Sequence, residues 1–164
     1  MTKFVQFRDS QLDISGEVAG FYPREFYPFC NFSSFQVKWH GVTWPTSEHA
    51  YQASRFKDTA TDLYEKIKIA SSAHQAFEIA MANKYRQQKN WDDIKESVMM
   101  DICRHKLSQH EYIKKKLLQT ADAPIVEDSP TDSYWGWGSD RLGLNNLGKI
   151  WMKLRDELKK GLVL

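Results

Sequence analysis

Between Thr46 and Leu158 the apolar residues of this chain recur mostly at three- and four-residue steps, a spacing that an α-helix turns into a continuous face. His49, Ala53 and Phe56 form one such stripe, and Leu63, Ile67 and Ala70 the next. Ser72 stands where it can cap a helix carrying Ala73, Phe77, Ala80 and Met81. Trp91 opens the longest stripe, with Ile94, Val98, Ile102 and Cys103. Tyr112, Ile113, Leu117 and Leu118 give a shorter one. A last helix starts near Asn145 and buries Leu147, Ile150, Trp151, Leu154 and Leu158. The period breaks in two places. Phe35 to Trp39 and Val42 to Trp44 flank His40-Gly41 as the arms of a short β-hairpin. Asp128 to Gly143, rich in Asp, Ser, Trp and Gly, has no helical period and follows a short extended Ile125-Val126-Glu127. The expected fold is mainly α: a single compact helical domain over residues 20–160, with a small β-hairpin near its N-terminus, behind an N-terminal extension over 1–19.

With 164 residues and no repeat or linker-like stretch, the chain suits one domain. No apolar run approaches the ~18–20 residues of a membrane span, and the first residues lack a signal-peptide core, so a cytoplasmic protein without membrane partners is expected. Cys30 and Cys103 have no redox or zinc spacing and read as free thiols. The five histidines do not cluster with cysteine or carboxylate, so no metal is expected, and nothing calls for a cofactor. A formal charge of +2 does not announce a nucleic-acid binder. Charge is nonetheless uneven. Residues 84–116 hold nine Lys and Arg against five acids, while 122–140 hold five acids and no base. That pattern is either solvated surface or a basic rim for a phosphorylated substrate.

Three places hold chemistry. Thr46-Ser47-Glu48 begins a helix on which Glu48, Tyr51, Gln52 and Arg55 share one face. An acid in a first turn is favoured by the helix dipole, so this is either an ordinary polar surface or a partly desolvated catalytic carboxylate behind Trp44-Pro45. Asp132-Ser-Tyr-Trp135-Gly136-Trp137-Gly138 offers sharp turns and flat indole faces, as a loop pinned by tryptophan packing or as a stacking wall for a heterocycle. Gly143-Leu-Asn145-Asn146-Leu-Gly148 opens the last helix, with Asn145 as a plain cap or with free N–H groups for a phosphate. Six tryptophans exceed what a core of this size needs. Trp39, Trp44 and Trp151 read as packing for the hairpin and the final helix, and Trp137 is left open.

In order along the chain, Phe29-Cys30-Asn31-Phe32-Ser33, Gly41 through Trp44-Pro45-Thr46-Ser47-Glu48-His49 to Gln52-Ala53, Asn90-Trp91 with Lys95 and Met99, and Val126-Glu127 through Asp132 to Gly148 resemble the motifs of the NADAR, or YbiA-like, N-glycosidases. The resemblance spans about residues 20–158. It implies a mainly α fold and hydrolysis of a ribosyl C–N bond, the substrates being phosphorylated aminopyrimidine ribotides of riboflavin synthesis. The alternatives it leaves are removal of ADP-ribose from modified guanine, free or in nucleic acid, and a non-catalytic ADP-ribose or nucleotide binder. It nominates Glu48 and Asp132 as catalytic carboxylates, and Asn31, Phe32, Arg55, Trp91, Trp135, Gly136 and Asn145 as substrate-binding residues, with no metal or cofactor. Many relatives read Gln-Ala-Gln-Lys-Phe where this chain has Gln52-Ala53-Ser54-Arg55-Phe56. Arginine cannot form an imine with an opened ribose, so direct attack by water is the expectation here.

Overall fold

The structure is a computed structural model that describes residues 19–20 and 26–162; the expected extension over 1–19 lies, apart from Ala19, outside the described residues. The strands are β1 (Ala19–Gly20), β2 (Val37–Trp39), β3 (Val42–Trp44) and β4 (Ile125–Val126). The helices are α1 (Ser47–Ser54), α2 (Thr61–Lys68), α3 (Ala73–Ala82), α4 (Trp91–Gln109), α5 (Glu111–Gln119) and α6 (Asn146–Lys159). The fold is mainly α with a small hairpin, as the periodicity predicts. Among the described residues no helix is long and apolar enough to cross a membrane. The chain forms two compact units, one over Asn31–Gln109, the other from the residues up to Cys30 together with His110 onward.

In the unit over Asn31–Gln109, β2 and β3 pair antiparallel with Val37 opposite Trp44 and Trp39 opposite Val42. His40 (φ 50°) and Gly41 (φ 75°) make the two-residue turn, both left-handed, which matches the twist of the strands they join. The far end of α4 closes over this hairpin. Gln109 accepts the Lys38 N–H and donates to the Lys38 carbonyl, both at 2.8 Å, so its side chain mimics a neighbouring strand. The Trp39 indole donates to Asp101 at 2.7 Å.

The predicted helical segments are present, but two buried faces are rotated. In α3 the core residues are Ala73, Ala76 and Ala80, while Phe77 is exposed and Met81 half-buried. Small side chains bring this helix close to α1, and the larger ones are left to its flank. In α4, Ile94 and Val98 are only half-buried, and the stripe runs instead through Met99, Ile102, Cys103, Lys106 and Leu107. Lys106 is fully buried, its ammonium donating to Ser33 Oγ at 2.8 Å and lying over the Phe35 ring.

The second unit packs α5 and α6 around β4. Ile113, Leu117, Leu147, Trp151 and Leu154 are buried there, whereas Tyr112 and Leu118 are exposed. Trp151 donates its indole N–H to the Phe29 carbonyl at 2.9 Å and tilts against the Phe29 ring, the packing role expected for it. Buried Arg155 bonds the Thr120 hydroxyl and the Ala123 carbonyl. β1 and β4 pair in parallel, Ala19 with Ile125 and Gly20 with Val126, a pairing that nothing in the local sequence announces.

Candidate active site

Helix α1 begins where Thr46 Oγ1 accepts the His49 N–H, a hydroxyl cap as expected. A second helix N–H, that of Glu48, is taken by the Asn31 carbonyl at 3.0 Å. His49 is buried beside the cap. Its Nε2 faces the Ala70 carbonyl at 3.1 Å and must carry the proton, because a carbonyl only accepts. Nδ1 then receives the Thr46 hydroxyl at 2.8 Å. Burial pushes the His49 pKa below its ordinary value, partly countered by the bond to Ala70. Below the unfolded-state pKa of about 6.5 the unfolded chain binds a proton that the native imidazole refuses, so stability falls as pH drops through that window. Thermal melts of the wild type and His49→Gln between pH 7.5 and 5 test this. The wild-type melting temperature should fall more steeply with acid, and parallel curves would assign the acid sensitivity elsewhere.

Every residue of α1 is buried, so its polar face is not an ordinary solvated surface. Glu48 is only 4% exposed and accepts a 2.7 Å hydrogen bond from Gln52 Nε2. Arg55, one turn further, donates to Gln87 Oε1 at 2.8 Å and lies 5.2 Å from the centre of the Trp91 ring. Burial lowers the Arg55 pKa from its usual value, while Tyr51, Glu48 and Asp92 pull it back up. The expected face is therefore assembled inside protein, with acid and guanidinium in one electrostatic group. Gln87 was not legible as a partner, since it follows a short 3₁₀ turn at Lys84–Arg86 far along the chain.

Trp91 occupies a different position from the wall expected of it. It is 1% exposed, with Tyr51 5.1 Å away between ring centres and Arg55 over its face, so the indole supports the arginine. Asn31 is buried, its Nδ2 facing Met99 Sδ at 3.2 Å. Phe32, at the edge of exposure, tilts against Phe77 at 6.4 Å. Around α1 several buried polar atoms have no protein partner among the described residues: Asn31 Oδ1, Ser47 Oγ, Gln52 Oε1, Arg55 Nε and Trp91 Nε1. Folded proteins pair more than nine in ten such groups, so five such atoms around one helix are more than a packed interior usually leaves.

The remaining nominated residues belong to the other unit and form a knotted loop. Asp132 Oδ1 accepts the N–H groups of Tyr134 and Trp135, both at 2.8 Å, and the Asp132 N–H bonds Ser129 Oγ. Trp135 is half-buried and meets Tyr134 edge-on at 5.1 Å. Trp137, half-buried, donates its indole N–H to Asp128 at 2.9 Å. A Cβ on Gly136 would lie 2.6 Å from the Glu127 carbonyl oxygen, so glycine is required for the loop to close. A cavity of about 370 Å³ opens beside it, lined by Ser133, Tyr134, Asp140, Leu142, Gly143 and Leu144.

Asn145 corrects the sequence reading. It is left-handed (φ 52°) and makes no capping bond. Its side chain instead clamps β4, accepting the Glu127 N–H at 3.0 Å and donating to the Ile125 carbonyl at 2.9 Å. The first N–H groups of α6 are occupied as well: Asn146 bonds the Tyr134 carbonyl and Leu147 the Trp135 carbonyl. Through these two N–H groups the helix end anchors the loop.

A family model for the NADAR domain matches residues 15–159, across both units. The chain belongs to the NADAR domain family. Among NADAR relatives, the N-glycosidase YbiA of Escherichia coli is 39% identical over 134 residues, covering 82% of each chain. An N-glycosidase of Nostoc punctiforme is 36% identical over 134 residues, 80% of this chain and 85% of that one. A riboflavin biosynthesis protein of Vibrio vulnificus is 39% identical over 139 residues, 84% of this chain but 37% of the larger protein. The NMR structure of E. coli YbiA superposes with a TM-score of 0.80 at 37% identity, covering 88% of this chain and 86% of that chain.

Proposed function

We propose that this protein is an N-glycosidase that hydrolyses the ribosyl C–N bond of a phosphorylated aminopyrimidine ribotide, with Glu48 as its central catalytic group. One observation carries the reading: a carboxylate buried at the start of α1, held by an amide donor, with Arg55 on the same face and unpaired polar atoms around it. Breaking a ribosyl C–N bond builds positive charge at the anomeric carbon, which a fixed carboxylate stabilises best where water is excluded. The same group can take a proton from the attacking water. Two carboxylates serve sugars in O-glycosidases, and Asp132 is the second here by analogy. Its Oδ1 accepts two backbone N–H groups, and the role proposed for it is to orient ribose or assist the leaving nitrogen. Trp135 offers an indole face in one unit and Phe32 an apolar edge in the other. Arg55 answers the phosphate charge, braced by Trp91. Asn31 offers its unpaired Oδ1, while Gly136 and Asn145 hold the loop.

Relatives named for N-glycosidase activity and for riboflavin biosynthesis support this substrate class over ADP-ribosylated guanine. The basic stretch gives the nucleic-acid alternative little help: Arg86 pairs with Asp62, Lys95 with Asp92, Lys114 with Glu111, and Lys106 is buried. A cytoplasmic site of action belongs to the reading, since the buried thiols of Cys30 and Cys103 suit a reducing compartment.

Incubation with the aminopyrimidine ribotide should release the free base, with little release from ADP-ribosylated guanosine. Release only from the guanosine would move the activity to the other substrate class, and release from neither would leave a binding module. Borohydride added during turnover should trap no protein adduct, because Arg55 stands in place of a lysine and Lys57 is exposed. A reduced lysine adduct would replace direct hydrolysis by an imine route.

A further inference from the structure

Gln52 is a polar residue on the α1 face to which catalysis by Glu48 alone gives no task. The two ends of its amide are in different states. Nε2 donates to Glu48 Oε1 at 2.7 Å, with both groups buried. With Nε2 donating to the Glu48 carboxylate, the amide is held in one orientation. Oε1 is thereby turned away, buried and without a protein partner among the described residues. A glutamine serving stability alone would have its oxygen in solvent or on a backbone donor, because buried acceptors are almost always paired. This one is a buried acceptor for which no described residue supplies a donor.

We propose that Gln52 is a further catalytic residue, holding the attacking water through Oε1 while Nε2 keeps Glu48 in place. The proposal rests on the reading of Glu48 as the group that activates that water. A water placed between the two residues donates one hydrogen to Gln52 Oε1 and the other to a carboxylate oxygen of Glu48. Both hydrogens are then fixed and a lone pair is left for the anomeric carbon. As the new O–C bond forms, the C–N bond breaks and its electron pair stays on the nitrogen. The hydrogen facing Glu48 passes to the carboxylate, which later returns it to solvent, and the leaving nitrogen takes up one proton from solvent. Water is the only co-reactant consumed. Holding the nucleophile in this way removes orientational freedom before the reaction, the kind of contribution that accelerates the chemical step without tightening substrate binding.

The nucleophile can report on this arrangement directly. Methanol has one O–H and cannot serve both acceptors, so the wild-type enzyme should select water strongly when methanol is added to the ribotide assay. Gln52→Met keeps the length of the side chain and removes the acceptor. It should lower kcat roughly 10- to 100-fold with KM within about threefold, and raise the share of methyl riboside in the product about fivefold or more. The product ratio is read only from molecules that turn over, so partial misfolding does not change it. If Gln52→Met gives no product, the ratio is read from Gln52→Asn, whose amide is drawn back by one methylene and should also admit more methanol. A product ratio unchanged from wild type in the variant that is read overturns the proposal, as does an effect confined to KM. Glu48→Gln is assayed in parallel to separate the two readings. Turnover near wild type in Glu48→Gln would remove the parent assignment. An inactive Glu48→Gln beside an unchanged methanol share in Gln52→Met would remove Gln52 alone.

Discussion

Glu48→Gln should lower kcat for base release by about 10²–10⁴-fold while the protein stays folded and melts no lower than the wild type. The two halves of that expectation have one cause. Glutamine matches the size of glutamate and retains a carbonyl oxygen for the Gln52 donor, so the geometry of α1 is preserved. What is lost is the negative charge that faces a developing cation and the basicity that receives a proton. Loss of a favourable helix-dipole interaction costs about 0.3–1 kcal/mol. Relief from keeping a charge buried acts in the opposite direction and is at least as large. A residue whose removal spares or raises stability while abolishing turnover is there for chemistry. Steady-state rates and a melting curve on the same preparation decide it: turnover within tenfold of wild type would end the assignment.

Gly148→Ala should be the most damaging single methyl group in the chain. A Cβ at this position would stand 2.5 Å from both polar atoms of the Asn145 amide and closer still to the Ile125 carbonyl oxygen. Those are the groups that clamp β4 to the start of α6. Alanine is otherwise the better helix former by about 1 kcal/mol, so propensity alone predicts a gain. Overpacking against backbone costs about 1–3 kcal/mol and sometimes more, and here it also breaks two hydrogen bonds worth about 1 kcal/mol each. The net expectation is a loss of about 2–4 kcal/mol, or roughly 5–15 °C in Tm for a chain of this size. Asn145→Gly separates two explanations. Glycine relieves the left-handed backbone but removes the amide, so destabilisation there identifies the clamp, and stabilisation would identify backbone strain instead.

The parts of this molecule that sequence revealed are those written in local spacing. His40-Gly41 between two β-prone arms specifies the hairpin, and Thr46 marks the start of α1 because a hydroxyl can reach an N–H three residues on. Glu48 and Gln52 sit four apart, so their contact follows from the helix itself. What stayed hidden depends on which neighbour a helix meets. Phe77 fits a buried stripe by period, yet the partner helix selects the alanines one position away. Asn145 looks like a cap because Asn before a helix usually is one, and only the arrival of β4 gives its amide another use. The burial of all of α1 was equally beyond local pattern. A helix with acid, amide and guanidinium on one side reads as a surface helix until other elements cover it.

The parallel pairing of Ala19–Gly20 with Ile125–Val126 has a consequence for how the protein is made. On the ribosome the first strand emerges early and must wait for its partner until most of the chain has been synthesised. The residues between Asn31 and Gln109 form one continuous compact unit and can fold during that interval. The unit that holds the Asp132 loop is discontinuous, and the closing of so long a loop makes its formation the slow step. Nascent chains arrested once Gln109 has cleared the exit tunnel should therefore already protect α1 from protease, leaving the second unit to be completed as the last helix emerges.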